Sequence, residues 1–539
     1  MGGIGASRVP EADGSARCPG AWETLAHVGL IIAVCGGFDA LFLHHGIGWL
    51  FDEGWPLYAA MQLHQGGTLY GDVFFLFPPG HVLPAWIAYA LDPPGVVLAR
   101  GFYALFDIAL CVAIYGLGRQ LMAAPFALWA ALALALAAPR SHLLHLLFGY
   151  RYLVFSVLAL LAASQRWRGR GPHWMGIAGV CCGLALVFRL TPAFAVSCGI
   201  GTAVLLSSSW RDALRDLALY GAGIAIVVLP VAGWLAAGAG LEAAWSQAVS
   251  RILPLQAAQS LPIPELHWLP THWSRADITE WFVAAQFVLY PALFVAYAAG
   301  LVANRLRTGR DFAHPLLLAV VVWGAVYALR AIGRSDEHHL VTALPPALLL
   351  LAHALGLPFG GRAAPPRYAA WCSSALLLAV WIGLQGSDLF LDRRVRGIHP
   401  LGSLAGHVSV PNARHARRID ASVERIRRLS QPDELILDLS HAPLMYVLTD
   451  RRGPGYGDVV TPGVFADPDD EQAFVERLER NPPVLVLWPR VPFDGLRERS
   501  LDAHAPRLAE WVRANYRPTM SGEYREILLR RSHGVGGGQ

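Results

Sequence analysis

Residues 217–238 read Leu-Ala-Leu-Tyr-Gly-Ala-Gly-Ile-Ala-Ile-Val-Val-Leu-Pro-Val-Ala-Gly-Trp-Leu-Ala-Ala-Gly, with no charged side chain among them. A helix needs about 20 such residues to cross the hydrocarbon layer of a bilayer, so this stretch sets the fold class. Ten further apolar runs share its character, at 22–43, 96–118, 122–139, 150–165, 174–190, 192–208, 281–303, 312–332, 340–357 and 369–386. The pattern predicts an α-helical polytopic membrane protein with about eleven transmembrane helices. Composition agrees. Hydrophobic residues make up 55% of the chain and charged residues 15%, with a mean hydropathy of +0.41. A soluble domain carries about a quarter charged residues.

The charge deficit is uneven. It holds over 22–386, the expected transmembrane domain, and ends near Asp388, after which charges become dense, as in Asp467-Pro468-Asp469-Asp470-Glu471. Residues 1–21 read as a cytoplasmic N-terminal tail, without a signal-peptide pattern. Residues 387–539 read as a water-exposed domain. In it, apolar runs at 435–437, 484–487 and 526–529 alternate with helical patterns at 414–430, 469–480 and 504–516, which predicts an α/β domain with a partly parallel sheet. No catalytic constellation is visible there; acceptor recognition, cover for the site or stability are the roles it suggests. The net charge of +4, with no basic stripe, argues against nucleic acid. The seven cysteines, at 18, 35, 111, 181, 182, 198 and 372, form no disulfide framework in the tail and read as small packing residues.

Arginine in the short loops sets the orientation. With the N-terminus cytoplasmic, the inside loops hold Arg119, Arg166, Arg168, Arg170, Arg211, Arg215, Arg305, Arg307, Arg310, Arg362 and Arg367, whereas the first outside loop, 44–95, has no arginine. Parity then places the tail domain outside, and the chain as a multi-pass protein of the inner or plasma membrane. A second long loop, at about 239–280, carries several tryptophans and reads as an interfacial belt rather than as a cover for an acceptor groove.

The first loop is too aromatic for a linker. It runs through Asp52-Glu53-Gly54-Trp55-Pro56, then Gly66-Gly67-Thr68-Leu69-Tyr70-Gly71-Asp72, then Phe77-Pro78-Pro79-Gly80-His81. Residues 56–65 predict a short amphipathic helix lying at the interface, entered through Pro56 and ended by Gly66-Gly67. Carboxylates at the end of a span are costly unless they meet water or a partner. Asp52-Glu53 is therefore either a pair of surface charges or part of a polar site.

An acidic pair after the first span, a helix, Gly-x-x-Tyr-x-Asp and Pro-Pro-Gly together resemble the first loop of GT-C polytopic glycosyltransferases. That class includes the protein O-mannosyltransferases and aminoarabinose transferases. The resemblance rests on Asp52-Glu53, Gly67–Asp72 and Pro78-Pro79-Gly80, and the layout extends over nearly the whole chain. It implies transfer of a hexosyl or pentosyl group, with inversion, from a polyprenyl-phosphate sugar to a glycan, lipid or protein acceptor at the outer face. Asp52 would activate the acceptor hydroxyl as a general base. Glu53 would orient that acceptor or be the base itself, and Asp72 and Tyr70 would support acceptor or loop, with turn capping as the plainer role for Asp72.

Such a leaving group needs cations at the outer rim. Candidates are Arg140 with His142 and His145, Arg151, Arg189, and Arg330 with Arg334 in the segment Gly333-Arg334-Ser335-Asp336-Glu337-His338-His339. Arg334 and His339 rank first, with His338, Arg151 and Arg189 behind. Each could instead snorkel or pair with a nearby acid, as Arg334 could with Asp336. Asp52, Glu53, His338 and His339 could assemble a divalent metal site, but nothing has a specific ligand spacing, and metal stays open. The rival readings are a transporter or flippase of a lipid-linked or small polar substrate, and a non-catalytic assembly subunit. The first is disfavoured by the lack of an internal repeat and by polar groups gathered at one membrane face.

Overall fold

The computed structural model describes residues 21–47, 50–137, 150–266, 275–308, 314–359, 367–384, 398–522 and 525–531. Its membrane part runs α1 (Ala21–Leu43), α2 (Gly54–His64), α3 (Leu83–Leu91), α4 (Val96–Leu121), α5 (Ala124–Ala137), α6 (Leu153–Trp167), α7 (His173–Phe188) and α8 (Leu190–Ser207). It continues with α9 (Trp210–Gly238), α10 (Leu241–Trp245), α11 (Ile252–Ala258), α12 (Arg275–Thr308), α13 (Pro315–Gly333), α14 (Glu337–Leu340), α15 (Leu344–Gly356) and α16 (Arg367–Leu384). A helix lies on each of the eleven apolar runs among the described residues. Among the described residues, seven helices are long and apolar enough to cross a bilayer, and α5, α6, α7 and α16 contain shorter apolar stretches. The chain is a multi-pass α-helical membrane protein with a C-terminal α/β region.

The α7–α8 boundary shows how local chemistry divides a long apolar run. Pro192 lacks an amide hydrogen and is best accommodated in the first turn of a helix. The chain therefore leaves helical geometry at Arg189 (φ −161°, ψ 129°) and restarts at Leu190. One arginine is thereby held in extended backbone between two apolar helices.

Two expectations about loops are corrected. The helix expected at 56–65 forms as α2, but it does not lie at an interface: Gly54 to Met61 are all buried. A helix apolar nearly all round is a core helix, and this one runs beneath the tail helix Leu444–Thr449. Gly54 permits the approach, since a Cβ there would stand 2.1 Å from the Leu444 backbone nitrogen. The 239–280 loop is not merely a belt. Its α11 side chains Ile252 and Leu255 line the main cavity, and Arg251 binds the tail through the Val464 carbonyl (2.7 Å) and Asp470 (3.0 Å). Trp268 and Trp273 lie outside the described residues.

The α/β region opens with a two-stranded ribbon, β1 (His399–Pro400) and β2 (Ser409–Val410). Ser409 exchanges backbone hydrogen bonds with the first loop, donating to His44 (2.9 Å) and accepting from Gly46 (2.8 Å). A four-stranded sheet follows, in the order β3 (Ile436–Asp438), β4 (Leu485–Pro489), β6 (Arg525–Arg530), β5 (Tyr516–Ser521). β3 and β4 are parallel and the other two pairs antiparallel. The three expected strands are present. β5 was not expected, because the helix ending at Asn515 passes straight into it.

Tail and first loop also meet through a buried polar contact. Tyr58 stacks on Tyr446 (4.1 Å between centroids) and donates to Asp458, while its hydroxyl accepts the Gly453 N–H (2.9 Å). Asp458 is fully buried, and burial pushes its carboxyl up to about 7 against the hydrogen bonds from Tyr58 and Gln62. In the unfolded chain its pKa is about 3.9. The native state therefore binds more protons between those values, and stability falls as pH rises from about 4 to about 7, then levels off. Melting temperature measured across that window is expected to drop in the wild type and to drop less in Asp458→Asn, whose side chain stays neutral. Equal slopes would refute the assignment.

Candidate active site

One cavity of about 900 Å³ opens where the first loop, the α7–α8 break, α11, the α13–α14 turn and the tail converge. Among the charged groups in its wall are Arg189, Arg330, Arg334 and Arg525, facing Asp52, Asp336 and Asp494. Asp52, Arg189 and the segment carrying Arg334 and His339, far apart in sequence, thus come together.

The Asp52-Glu53 pair divides. Asp52 is half-buried in the cavity wall. Glu53 is fully buried and turned to Arg100, with Nε–Oε1 at 2.6 Å and Nη2–Oε2 at 2.9 Å. The same guanidinium donates to the carbonyls of Phe42 (3.0 Å), Leu43 (3.1 Å) and Gly46 (3.0 Å). Two of these are end carbonyls of α1, which lack helical partners. Glu53 therefore positions the loop that carries Asp52. Arg100 was missed in the sequence, although an arginine in the first turn of an apolar span marks a buried partner.

Tyr70 and Asp72 sit in the turn below. The Asp72 carboxylate accepts the Thr68 N–H (2.9 Å) and closes the 68–72 turn. Tyr70, held at φ 69°, donates its hydroxyl to the Phe77 carbonyl (2.5 Å), and its own carbonyl accepts from buried Gln247 (2.8 Å). Phe77 in turn stacks on His81 (5.0 Å) and lies 4.0 Å beneath the Arg189 guanidinium. A guanidinium over an aromatic face is held in place by the ring quadrupole. Gly80 lets this segment press on α7, since a Cβ would come 2.8 Å from the Val187 carbonyl oxygen.

Arg334 is heavily engaged. Nε meets Asp336 (2.8 Å), Nη1 donates to the Gln259 carbonyl (2.6 Å), and Nη2 meets Asp494 of the tail (3.0 Å). Asp494 also pairs with Arg499, which donates to the Ser260 carbonyl. The Arg-x-Asp-x-x-His segment has a local cause. Asp336 caps α14 by accepting the His339 backbone N–H (2.8 Å) and meets the His339 Nδ1 (2.6 Å). Burial pushes the Asp336 carboxyl up, but His339 and Arg334 outweigh it and hold it well below the usual range. Burial, aided by Arg330 and Arg334, lowers the His339 pKa against the opposing hydrogen bond to Asp336. Arg330 differs from Arg334: its Nε is buried and has no hydrogen-bond partner among the described residues.

Arg151 does not line the cavity. It is buried beside Asp107 (3.5 Å) and over the Tyr103 ring (4.5 Å). The side chain of His338, and Arg140, His142 and His145, lie outside the described residues. Among the described residues no three His, Cys, Asp or Glu side chains are grouped to hold a metal ion. Glu53 and His339, which the sequence offered for one, are turned to Arg100 and Asp336.

This architecture recurs in solved structures. ArnT from Cupriavidus metallidurans bound to undecaprenyl phosphate superposes with a TM-score of 0.57 at 15% identity, over 96% of this chain and 100% of that one. The archaeal oligosaccharyltransferase AglB from Archaeoglobus fulgidus, in complex with an inhibitory peptide and a dolichol-phosphate, gives 0.55 at 13% identity, over 96% and 75%. The chain has the GT-C fold. No protein-family model and no curated protein sequence matches it. The GT-C likeness first met in Asp52-Glu53, Gly67–Asp72 and Pro78-Pro79-Gly80 thus extends through the whole architecture.

The Glu53–Arg100 pair makes this loop testable. Removing one partner of a buried pair costs about 3–5 kcal/mol, whereas replacing both by apolar groups is often near neutral. Arg100→Met is expected to lower the melting temperature markedly in thermal unfolding, and Arg100→Met/Glu53→Leu to recover part of the loss, since the Phe42, Leu43 and Gly46 carbonyls still lack their donor. A double variant no more stable than the single would show that Glu53 does not depend on Arg100.

Proposed function

We propose that the chain is a glycosyltransferase that moves a hexosyl or pentosyl group from a polyprenyl-phosphate carrier to an acceptor hydroxyl, at the outer face of the inner or plasma membrane. The observation that carries the reading is the meeting of Asp52 with Arg189 and Arg330 in one cavity, on a fold shared with a structure that holds undecaprenyl phosphate. Arginine placement in the loops supports a cytoplasmic N-terminus and an outward tail, and so the division into an N-terminal tail 1–21, a transmembrane domain 22–386 and an extracytoplasmic domain 387–539.

In this reading the Asp52 carboxylate accepts the acceptor's proton as the acceptor oxygen attacks the anomeric carbon. The bond from that carbon to the phosphate oxygen breaks, its electron pair leaves with the polyprenyl phosphate, and a single displacement inverts the anomeric centre. Arg330 and Arg189 stabilise the departing phosphate; Arg330 has an idle donor, and Phe77 presets the Arg189 guanidinium. Arg334 holds the tail through Asp494 and reaches phosphate only by exchanging that carboxylate. Glu53, Tyr70 and Asp72 keep the loop in register. The acceptor is a glycan, lipid or protein.

Purified protein given labelled polyprenyl-phosphate sugars and candidate acceptors tests the assignment. Asp52→Asn is expected to lower kcat by about 10²–10⁴-fold while leaving carrier binding intact. Arg330→Gln is expected to weaken carrier binding. Undiminished product from Asp52→Asn would remove it as the base, and carrier movement across vesicles without sugar transfer would mean transport.

A further inference from the structure

The α/β region contributes a polar wall that the proposed transfer step leaves unused. Arg525 at the start of β6, Ser440 and His441 after β3, and His415 in the first turn of the helix Ala413–Leu429 all line the cavity. The Arg525 Nη1 is buried and has no hydrogen-bond partner among the described residues. A buried, idle guanidinium donor is costly unless an anion completes it.

The acid whose charge acts on Arg525, Asp438, does not do so. Asp438 is buried, and its carboxylate is already committed. Oδ1 accepts from the Ser440 N–H (2.7 Å) and Oγ (2.6 Å), and Oδ2 accepts from the Ala442 N–H (2.7 Å). No ion pair joins Asp438 to Arg525 among the described residues; it acts on Arg525 only as a more distant charge.

His441 complements the arginine. Burial and His504 hold its pKa down to about 4, so the ring is neutral at pH 7. Nδ1–H donates to the Val460 carbonyl (3.2 Å), which leaves the lone pair on Nε2, and that atom is buried without a partner among the described residues. The residue is held at φ 56°, and the hydrogen bond to Val460 orients the ring. An idle guanidinium donor and an idle imidazole acceptor in one wall suit a ligand that carries an oxyanion and a hydroxyl.

The structure assigns this wall, we infer, as a second anion subsite: Arg525 takes a phosphate or carboxylate of the water-side reactant, the acceptor or the transferred sugar, and His441 Nε2 accepts a hydroxyl hydrogen of the same molecule. The inference rests on the glycosyl-transfer reading for the word reactant. The polyprenyl phosphate is directed elsewhere, because its lipid ties it to Arg189 and Arg330 at the ends of the membrane helices, whereas Arg525 belongs to a region of sheet and amphipathic helix.

Binding of glucose 6-phosphate, glucuronate and glucose to the full chain in nanodiscs decides it, with undecaprenyl phosphate as the fourth probe. At least one of the two sugar anions is expected to bind at least tenfold more tightly than glucose, and which one does so identifies the oxyanion. Arg525→Gln is expected to lose that preference while binding undecaprenyl phosphate normally, which also shows that it is folded. Arg525→Lys is expected to keep part of the preference, and His441→Phe to weaken the anions and glucose alike. Anion binding unchanged in Arg525→Gln, or no preference over glucose in the wild type, overturns the subsite. Undecaprenyl phosphate binding unchanged in Arg330→Gln would instead count against the carrier site and leave the Arg525 result standing.

Discussion

Everything at the cavity depends on one buried guanidinium. Arg100 satisfies three backbone carbonyls around the end of α1 and both oxygens of Glu53 at once. It fixes the direction in which the chain leaves the membrane and the next turn it makes. Such an arrangement repays the desolvation of two charges only when nearly every donor is used, and here the five bonds share the guanidinium's donors. Asp52 inherits its position from this clamp. Had the loop been free, a carboxylate there would have settled into water or onto a random cation, and the cavity would lack the acid that the first loop contributes.

A second constraint follows from the first. With the loop fixed, α2 has no outward face to offer a bilayer surface, and it is covered by the tail through Leu444, Tyr446 and Asp458. The tail is therefore part of the wall rather than an appendage. It brings Asp494 onto Arg334 and Arg499, and Phe493 onto Phe51 (6.0 Å) and His441 (5.1 Å). Three ionic groups drawn from the α13–α14 turn and the tail loop bridge the two halves of the chain beside the cavity.

The helices were legible because hydrophobic length is a local property, and each apolar run sufficed by itself. Three tail strands, β3, β4 and β6, were legible for the same reason; β1, β2 and β5 were not, since two-residue strands and Tyr516-Arg517-Pro518-Thr519 offer no apolar run. The convergence of Asp52, Arg189, Arg334 and His339 was legible in outline, since all were read as lying at one membrane face. Their partners were not. Nothing in the spacing says that Glu53 meets Arg100 or that Arg151 meets Asp107, because ion pairing is decided by tertiary approach. Arg525 and His441 were invisible for a further reason. Each sits in an ordinary strand or loop context, and only the assembled cavity shows a donor and an acceptor with no partner among the described residues.

Arg330 and Arg334 show why geometry reorders what composition proposes. Four residues apart, they read as one basic cluster, and the richer polar surroundings of Arg334 made it the stronger phosphate ligand. Those same surroundings occupy it, since Asp336, Gln259 and Asp494 take its Nε, Nη1 and Nη2. Arg330, at the last turn of α13 between Leu329 and Ala331, keeps a buried Nε without a hydrogen-bond partner among the described residues. A cation already paired can bind phosphate only by releasing its carboxylates, whereas an idle one gains a hydrogen bond outright. The poorer environment in the sequence therefore marks the arginine whose donor is still available in the fold.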